Sequence, residues 1–310
     1  MKQNLIIGTR GSELALWQAN FIKSEIQTLF PDLNVELNII KTTGDAITDR
    51  PLALVGGKGL FVKEIENALL NTEIDLAVHS MKDMPGELPD GLWIGAIPKR
   101  ANPFDVLISR DGSLLKNYKK GAKIGTSSLR RASQLKHLCP DITIESIRGN
   151  LDTRIRKLKS GDYDAIVLAA AGLLRLGQEK EITEYLDETI MIPAVGQGAL
   201  CIETRKNNPD IEIITAKLDH YDTRVCVEGE RAFLRQIEGS CHIPVACFGR
   251  IVKQEVWLTA VVASEDGREI IKEHIVSPLN KVKERGRALA DLILEKGGKK
   301  ILESLNSNAN

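Results

Sequence analysis

Six arginines recur beside turns and helix starts: Arg10, Arg130, Arg131, Arg148, Arg154 and Arg175. Arg10 follows the turn of "GTRGS", and Arg130 and Arg131 open the helix of "GTSSLRR". Arg148 ends the strand in "SIRGNLDTR", Arg154 begins the helix after it, and Arg175 follows "AAAGLL". A planar guanidinium grips a carboxylate through two parallel N–H bonds. Free N–H groups at a helix start add to an anion site. Ser12, Thr126, Ser127 and Ser128 put hydroxyl donors beside the same turns. Any one of these arginines by itself reads more readily as solvated surface charge. Their recurrence at matched places favours a cleft for a polyanion with several carboxylates.

"HSMKDMP" places Lys82 and Asp83 directly after an apolar strand. An ionised carboxylate there could stabilise a cationic intermediate or pass protons; the plain alternative is a surface salt bridge. Lys82 could act as a Schiff-base lysine, but no phosphate-cup motif accompanies it. His79, inside the apolar strand, reads as a satisfied core or rim histidine. "EGSCHIP" sets Cys241 at the tip of a loop, with His242 next to it. A neighbouring cation or helix end can lower a thiol pKa. Adjacent residues in an extended loop point to opposite sides, however, so His242 is poorly placed as a base. "TTGDAITDRPLALVGGKGLF" is long, Gly-rich and aperiodic, the pattern of a mobile lid containing Lys58. It lacks the spacing of a nucleotide phosphate loop.

The elements that must hold these residues repeat. "LIIGTRGSELALWQA" and "AKIGTSSLRRASQL" each read as a buried strand, a turn, a capped start and an amphipathic helix. Ser12 caps the first helix, and Thr126 to Ser128 supply the cap of the second. Each copy continues with a β-branched run, a helix and an Asp-led strand, "IDLAVHS" or "YDAIVLAA". Strand alternating with helix predicts parallel α/β units, and two copies predict two similar hinged lobes with ligands at the carboxyl ends of the strands. "PKRANP" and "IMIPAVGQGALCIET" are the crossings between them. From about Asp219 the pattern becomes a helix, antiparallel strands with a turn at Asp266-Gly267, and one closing amphipathic helix. The expected division is 1–98 with 199–218, then 104–193, then a smaller α+β lobe over 219–310 that carries Cys241.

Composition excludes several function classes. Lys+Arg and Asp+Glu stand at 42 each over 310 residues, so no global field favours nucleic acid or an anionic membrane. The N-terminal apolar run is too short for a signal peptide, and no stretch is long enough for a membrane helix. These features predict a cytoplasmic chain. Five cysteines without a Cys-x-x-Cys pair argue against a disulfide framework or a metal site. Cys139, Cys201, Cys226 and Cys247 read as small buried hydrophobes.

Taken in order along the chain, "GTRGSELALWQ", "GGKGLFVKEIE", "AVHSMKDMP", "GTSSLRR", "RGNLDTR", "DYDAIVLAAAGLLRLG", "PAVGQGA" and "EGSCHIP" resemble the porphobilinogen deaminase (hydroxymethylbilane synthase) family. The resemblance implies three lobes, two of them like a hinged periplasmic-type binding protein. It implies a dipyrromethane cofactor held through a thioether by Cys241, onto which four porphobilinogen molecules are added before hydrolysis releases the linear tetrapyrrole. Each porphobilinogen loses ammonia to give an azafulvene, and Asp83 matches the family's catalytic aspartate. The six arginines match positions that bind the acetate and propionate groups. Lys82, Ser12, Thr126, Ser127 and Ser128 match further cofactor or substrate contacts, and Lys58 a lid contact. The family implies a monomer, with neither nucleic acid nor membrane as partner. Ser240, Ala246 and Leu54 depart from common family residues without removing a catalytic group. A non-catalytic bilobal anion-binding module would explain the arginines but neither Asp83, the third lobe nor the loop thiol. A Cys-His transferase would need an unmodified thiol.

Overall fold

Leu5 and Ile7 alternate with partly exposed neighbours along the first strand, as one apolar face of a sheet requires. The computed structural model describes residues 3–46, 59–237 and 243–307. The chain divides into two units, Met1–Ala101 with Gly198–Arg224, and Asn102–Gln197 with Val225–Asn310.

In the first unit, β1 (Asn4–Thr9), β2 (Asn34–Ile39) and β3 (Leu76–Ser80) run parallel. β4 (Leu92–Ala96) lies at the far edge, and β10 (Leu200–Arg205) is inserted antiparallel between β3 and β4. The order is β2-β1-β3-β10-β4. Helix α1 (Glu13–Leu29) starts where the sequence predicts: Ser12 accepts a bond from the Ala15 N–H at 3.3 Å. Its buried Ala15, Gln18, Ala19, Ile22 and Ile26 recur at helical spacing. Ala19, Ile22 and Ile26 pack on one face of the sheet with Ile211 and Ile214 of α6 (Pro209–Leu218). Helix α2 (Lys63–Leu70) covers the other face through Ile65, Ala68 and Leu69.

The second unit repeats this order. β6 (Lys123–Gly125), β7 (Thr143–Glu145) and β8 (Ala165–Ala169) are parallel. β5 (Asp105–Ser109) is antiparallel to β8 and to β9 (Glu184–Leu186), giving β7-β6-β8-β5-β9. Helices α3 (Leu129–Leu138), α4 (Leu151–Lys159) and α5 (Ala170–Arg175) follow β6, β7 and β8. Purely parallel units were expected from strand-helix alternation. Each sheet instead takes one antiparallel strand, β10 or β5, from chain that arrives without a crossover helix.

The same unit holds a three-stranded antiparallel sheet of β11 (Val245–Val252), β12 (Glu255–Ala263) and β13 (Ile270–Pro278). It packs with α7 (Tyr221–Gln236), α8 (Val282–Ile293) and α9 (Lys299–Ser307) around Phe233, Val256, Leu258, Leu289 and Ile293. The expected closing helix is two helices, because Gly297 takes a φ of 111°. The β11–β12 turn uses Lys253 and Gln254, both at positive φ, with no glycine to announce it. Cys201, Cys226 and Cys247 are buried as expected; Cys139, which ends α3, is only half-buried. Among the described residues no helix is long and apolar enough to cross a membrane.

Candidate functional site

The parallel strands of the first sheet end together, at Thr9 and Ser80, because Ile7 pairs with Leu76 and Gly8 with Ala77. Arg10, Ser12, Lys82 and Asp83 therefore share the carboxyl edge of adjacent strands, where open α/β sheets bind ligands. Arg10 is not a bare surface charge. Its Nε donates to Asp45 at 3.1 Å, and its guanidinium lies 4.2 Å from the centre of the Phe61 ring. Burial raises the Asp45 carboxyl, but the bonds from Arg10 and Thr42 and the charge of Arg10 bring it below its usual value.

Asp83 ends a short 3₁₀ turn, Met81–Asp83, that follows β3 directly. It is half-buried, and its side chain makes no hydrogen bond among the described residues. The backbone beneath it is fixed from three directions. Gln18 of α1 donates to Ser80 Oγ at 3.0 Å, Glu203 of β10 holds His79 Nε2 at 3.0 Å, and the Met81 N–H donates to the Ala199 carbonyl at 3.0 Å. His79 is thus the satisfied core histidine expected of it. A carboxylate without a partner on a fixed backbone is prepared for an external cation or N–H group.

The second sheet gathers the other residues at its own carboxyl edge. Thr126, Ser127 and Ser128 follow β6, and the loop after β7 carries Arg148. Arg148 lies three residues beyond the end of β7 rather than ending it, because the strand stops at Glu145. Ser128 is the N-cap residue of α3, yet its side chain makes no capping bond; Thr126 Oγ1 instead accepts the Ser128 N–H at 3.2 Å. The start of α3 thus keeps donors for an anion. Ser127 Oγ donates to the Ile147 carbonyl at 2.7 Å and ties this turn to the Arg148 loop.

Arg130 and Arg131 sit deeper than the sequence suggests, at 6% and 7% exposure. Both converge on Asp105, which is fully buried. Arg130 Nη1 donates to Asp105 Oδ2 at 2.7 Å, and Arg131 Nε to Oδ1 at 2.8 Å. Gln197 Nε2 donates to the same Oδ1 at 3.1 Å. Burial alone pushes Asp105 up, but the two guanidinium charges with the bonds from Arg130 and Gln197 hold it well below the usual carboxylate range. Burial also lowers Arg131. Arg154 donates from Nε to the Gly149 carbonyl at 2.8 Å, and burial, then the charges of Arg131 and Arg148, push it down to about 10. Burial likewise brings Arg175 to about 10. Arg154 and Arg175 stay charged at neutral pH.

The charge at this edge does not balance. One carboxylate, Asp105, faces Arg130 and Arg131, while among the described residues no carboxylate pairs with Arg148 or Arg154. Cationic groups that raise one another's energy are stabilised by an anion with several carboxylates. The acetate and propionate groups of a dipyrromethane fit this donor set. Lys58 and Cys241 lie outside the described residues. Asp105, Gln18, Gln197 and Glu203 were missed in the sequence. The available signal was an acidic or amide residue in an otherwise apolar segment, which burial obliges to find a partner.

The chain matches the family model "Porphobilinogen deaminase, dipyromethane cofactor binding domain" over residues 5–213. A second model, "Porphobilinogen deaminase, C-terminal domain", matches residues 224–295. It is 49% identical to a porphobilinogen deaminase of Pelobacter propionicus, over 98% of this chain and 97% of the relative. The porphobilinogen deaminase of Geobacter sulfurreducens is 50% identical, over 96% of this chain and 93% of the relative. Among solved structures it is similar to the periplasmic aliphatic sulphonate binding protein SsuA of Escherichia coli, with 14% identity and a TM-score of 0.41 over 77% of this chain and 71% of that one. Two family models in series and near-complete coverage at this identity settle the assignment: the chain belongs to the porphobilinogen deaminase family.

Proposed function

We propose that the chain is a hydroxymethylbilane synthase that condenses porphobilinogen with loss of ammonia, using Asp83 as its catalytic residue. The observation that carries this reading is the half-buried Asp83 carboxylate, without a hydrogen-bond partner among the described residues, on backbone held by Gln18, Glu203 and Ala199. As ammonia leaves the substrate's aminomethyl carbon, positive charge spreads to the pyrrole nitrogen. Asp83 accepts that N–H and stabilises the charge as it forms. It can also hold the proton that the new ring gives up after carbon–carbon bond formation. Lys82, beside it, serves substrate or cofactor carboxylates.

A dipyrromethane, when bound, supplies the nucleophilic pyrrole α-carbon that accepts the first unit. Arg148 and Arg154 would hold its carboxylates with the α3 amide groups and Thr126, Ser127 and Ser128; Arg130 and Arg131, oriented by Asp105, together with Arg175, Arg10 and Ser12, complete the anion-binding set. Cys241 is the attachment residue and Lys58 a lid contact, both supported by the motifs around them. The reading includes a division at 1–98 with 199–218, 104–193 and 219–310, and a cytoplasmic monomer. Its partner is the small-molecule substrate, with no nucleic acid or membrane involved.

Asp83→Asn removes the charge and keeps the shape. Turnover of porphobilinogen by the loaded variant is expected to fall by about 10²–10⁴-fold, with the thermal midpoint unchanged. Wild-type turnover in that variant removes Asp83 from the mechanism.

A further inference from the structure

Three titratable side chains interrupt the apolar layer between α2 and the first sheet. Glu66 on α2, His79 on β3 and Glu203 on β10 are all buried. His79 Nε2 stands 3.0 Å from Glu203 Oε2. The remaining Oε1 of Glu203 and Oε1 of Glu66 are buried without a hydrogen-bond partner among the described residues. Buried acceptors without donors are uncommon and unfavourable. A proton on Glu66 turns one of these acceptors into a donor and removes a buried charge beside Glu203.

Among the described residues the surroundings supply no other neutralising charge. On β10, Arg205 donates to the carbonyls of Leu69 and Ile74 and lies 3.7 Å from Asp75, so its charge is engaged there. β10 also carries the Cys201 thiol, opposite His79 in register. β1 and β4 carry no titratable side chain. On α2 itself, Glu64 accepts from the Thr43 N–H, and Lys63 is exposed.

The location matters. His79 lies on the strand that delivers Asp83, and Ser80, next to it, is held from the opposite face by Gln18. The strand end is therefore clamped by side-chain hydrogen bonds, Gln18 to Ser80 and Glu203 to His79, and the second belongs to this cluster.

We infer that Glu66, His79 and Glu203 share a proton and act as positioning residues for Asp83, so that turnover slows when the proton is lost. The inference rests on the reading of Asp83 given above. Burial, then the charge of Glu203, raises the Glu66 carboxyl to about 7, with His79 acting in the opposite direction. Above that pH the Glu66 carboxyl is charged in a water-poor layer beside Glu203. That cost is relieved by moving α2 away or admitting water, and either loosens the end of β3. The folded value lies above the unperturbed 4.5. Stability from the protonated form is therefore complete below about pH 4.5 and lost as pH rises through about 7.

Glu66→Gln keeps the size and a permanent donor. Turnover of porphobilinogen by the cofactor-loaded full chain is compared from about pH 6 to about pH 9. The wild type is expected to lose kcat on the alkaline side with a midpoint near 7 and little change in KM. In Glu66→Gln that midpoint disappears and the ratio of alkaline to neutral kcat stays near one. A variant that keeps the wild-type alkaline fall overturns the proposal. Thermal midpoints from about pH 4.5 to about pH 7 give a second readout. The wild type loses stability as pH rises towards neutrality and Glu66→Gln does not; parallel curves also overturn it. Asp83→Asn, assayed alongside, separates the two ideas: full turnover there sinks the role of Asp83, whereas the stability curves of Glu66→Gln do not depend on it.

Discussion

Asp105 is fully buried, and its carboxylate carries both guanidiniums of the α3 start. A charge taken so far out of water persists only when paired and hydrogen-bonded. Asp105→Asn would leave Arg130 and Arg131 buried with no countercharge, for an expected loss of about 3–5 kcal/mol in denaturant unfolding. The folded-state pKa of Asp105 is depressed, so its contribution is present above the unfolded value near 4 and lost as pH falls below it. The wild type should therefore show a steeper acid loss of stability than the Asn variant. Equal acid slopes would mean that Asp105 is not the charge that holds the pair. At this scale the placement of Asp83 after a strand and of Arg130 and Arg131 at a helix start was legible in the sequence, because turn and strand signals flank them. Asp105 was not, since one acidic residue opening "DVLIS" gives no hint of which cations it will meet.

The turn between β7 and α4 shows how an element places two arginines. Gly149 takes a φ of +113°, and a Cβ there would lie 2.5 Å from Thr153 Cγ2. Its carbonyl accepts from Arg154, and Asn150 caps α4 by accepting the Thr153 N–H at 3.0 Å. Gly149→Ala strains the backbone and shifts the turn that carries both Arg148 and Arg154. We expect a loss of about 1–3 kcal/mol in stability and a raised KM for porphobilinogen. An unchanged KM would show that these arginines do not depend on the turn for their placement. The helix start at Ser12 was readable from cap chemistry; the one after Thr126 begins at Ser128 as expected but without a side-chain capping bond. The Lys253-Gln254 turn was not readable, because positive φ at non-glycine residues is imposed by the pairing of β11 with β12 and has no local signature.

Over the whole molecule, the repeat seen in "LIIGTRGSELALWQA" and "AKIGTSSLRRASQL" becomes two sheets of the same strand order. Periodicity was enough to predict strands and helices, but the antiparallel β5 and β10 depend on long-range chain crossings that no local window contains. We propose that one thiol, Cys241, carries the dipyrromethane and that the arginines hold its carboxylates. The most direct test is the intact mass of the purified protein with a peptide map across Cys241. An adduct equal to two deaminated porphobilinogen units on the Cys241 peptide, absent from Cys241→Ser, is the predicted result. A bare chain that stays bare after incubation with porphobilinogen, or the same adduct on Cys241→Ser, would contradict it.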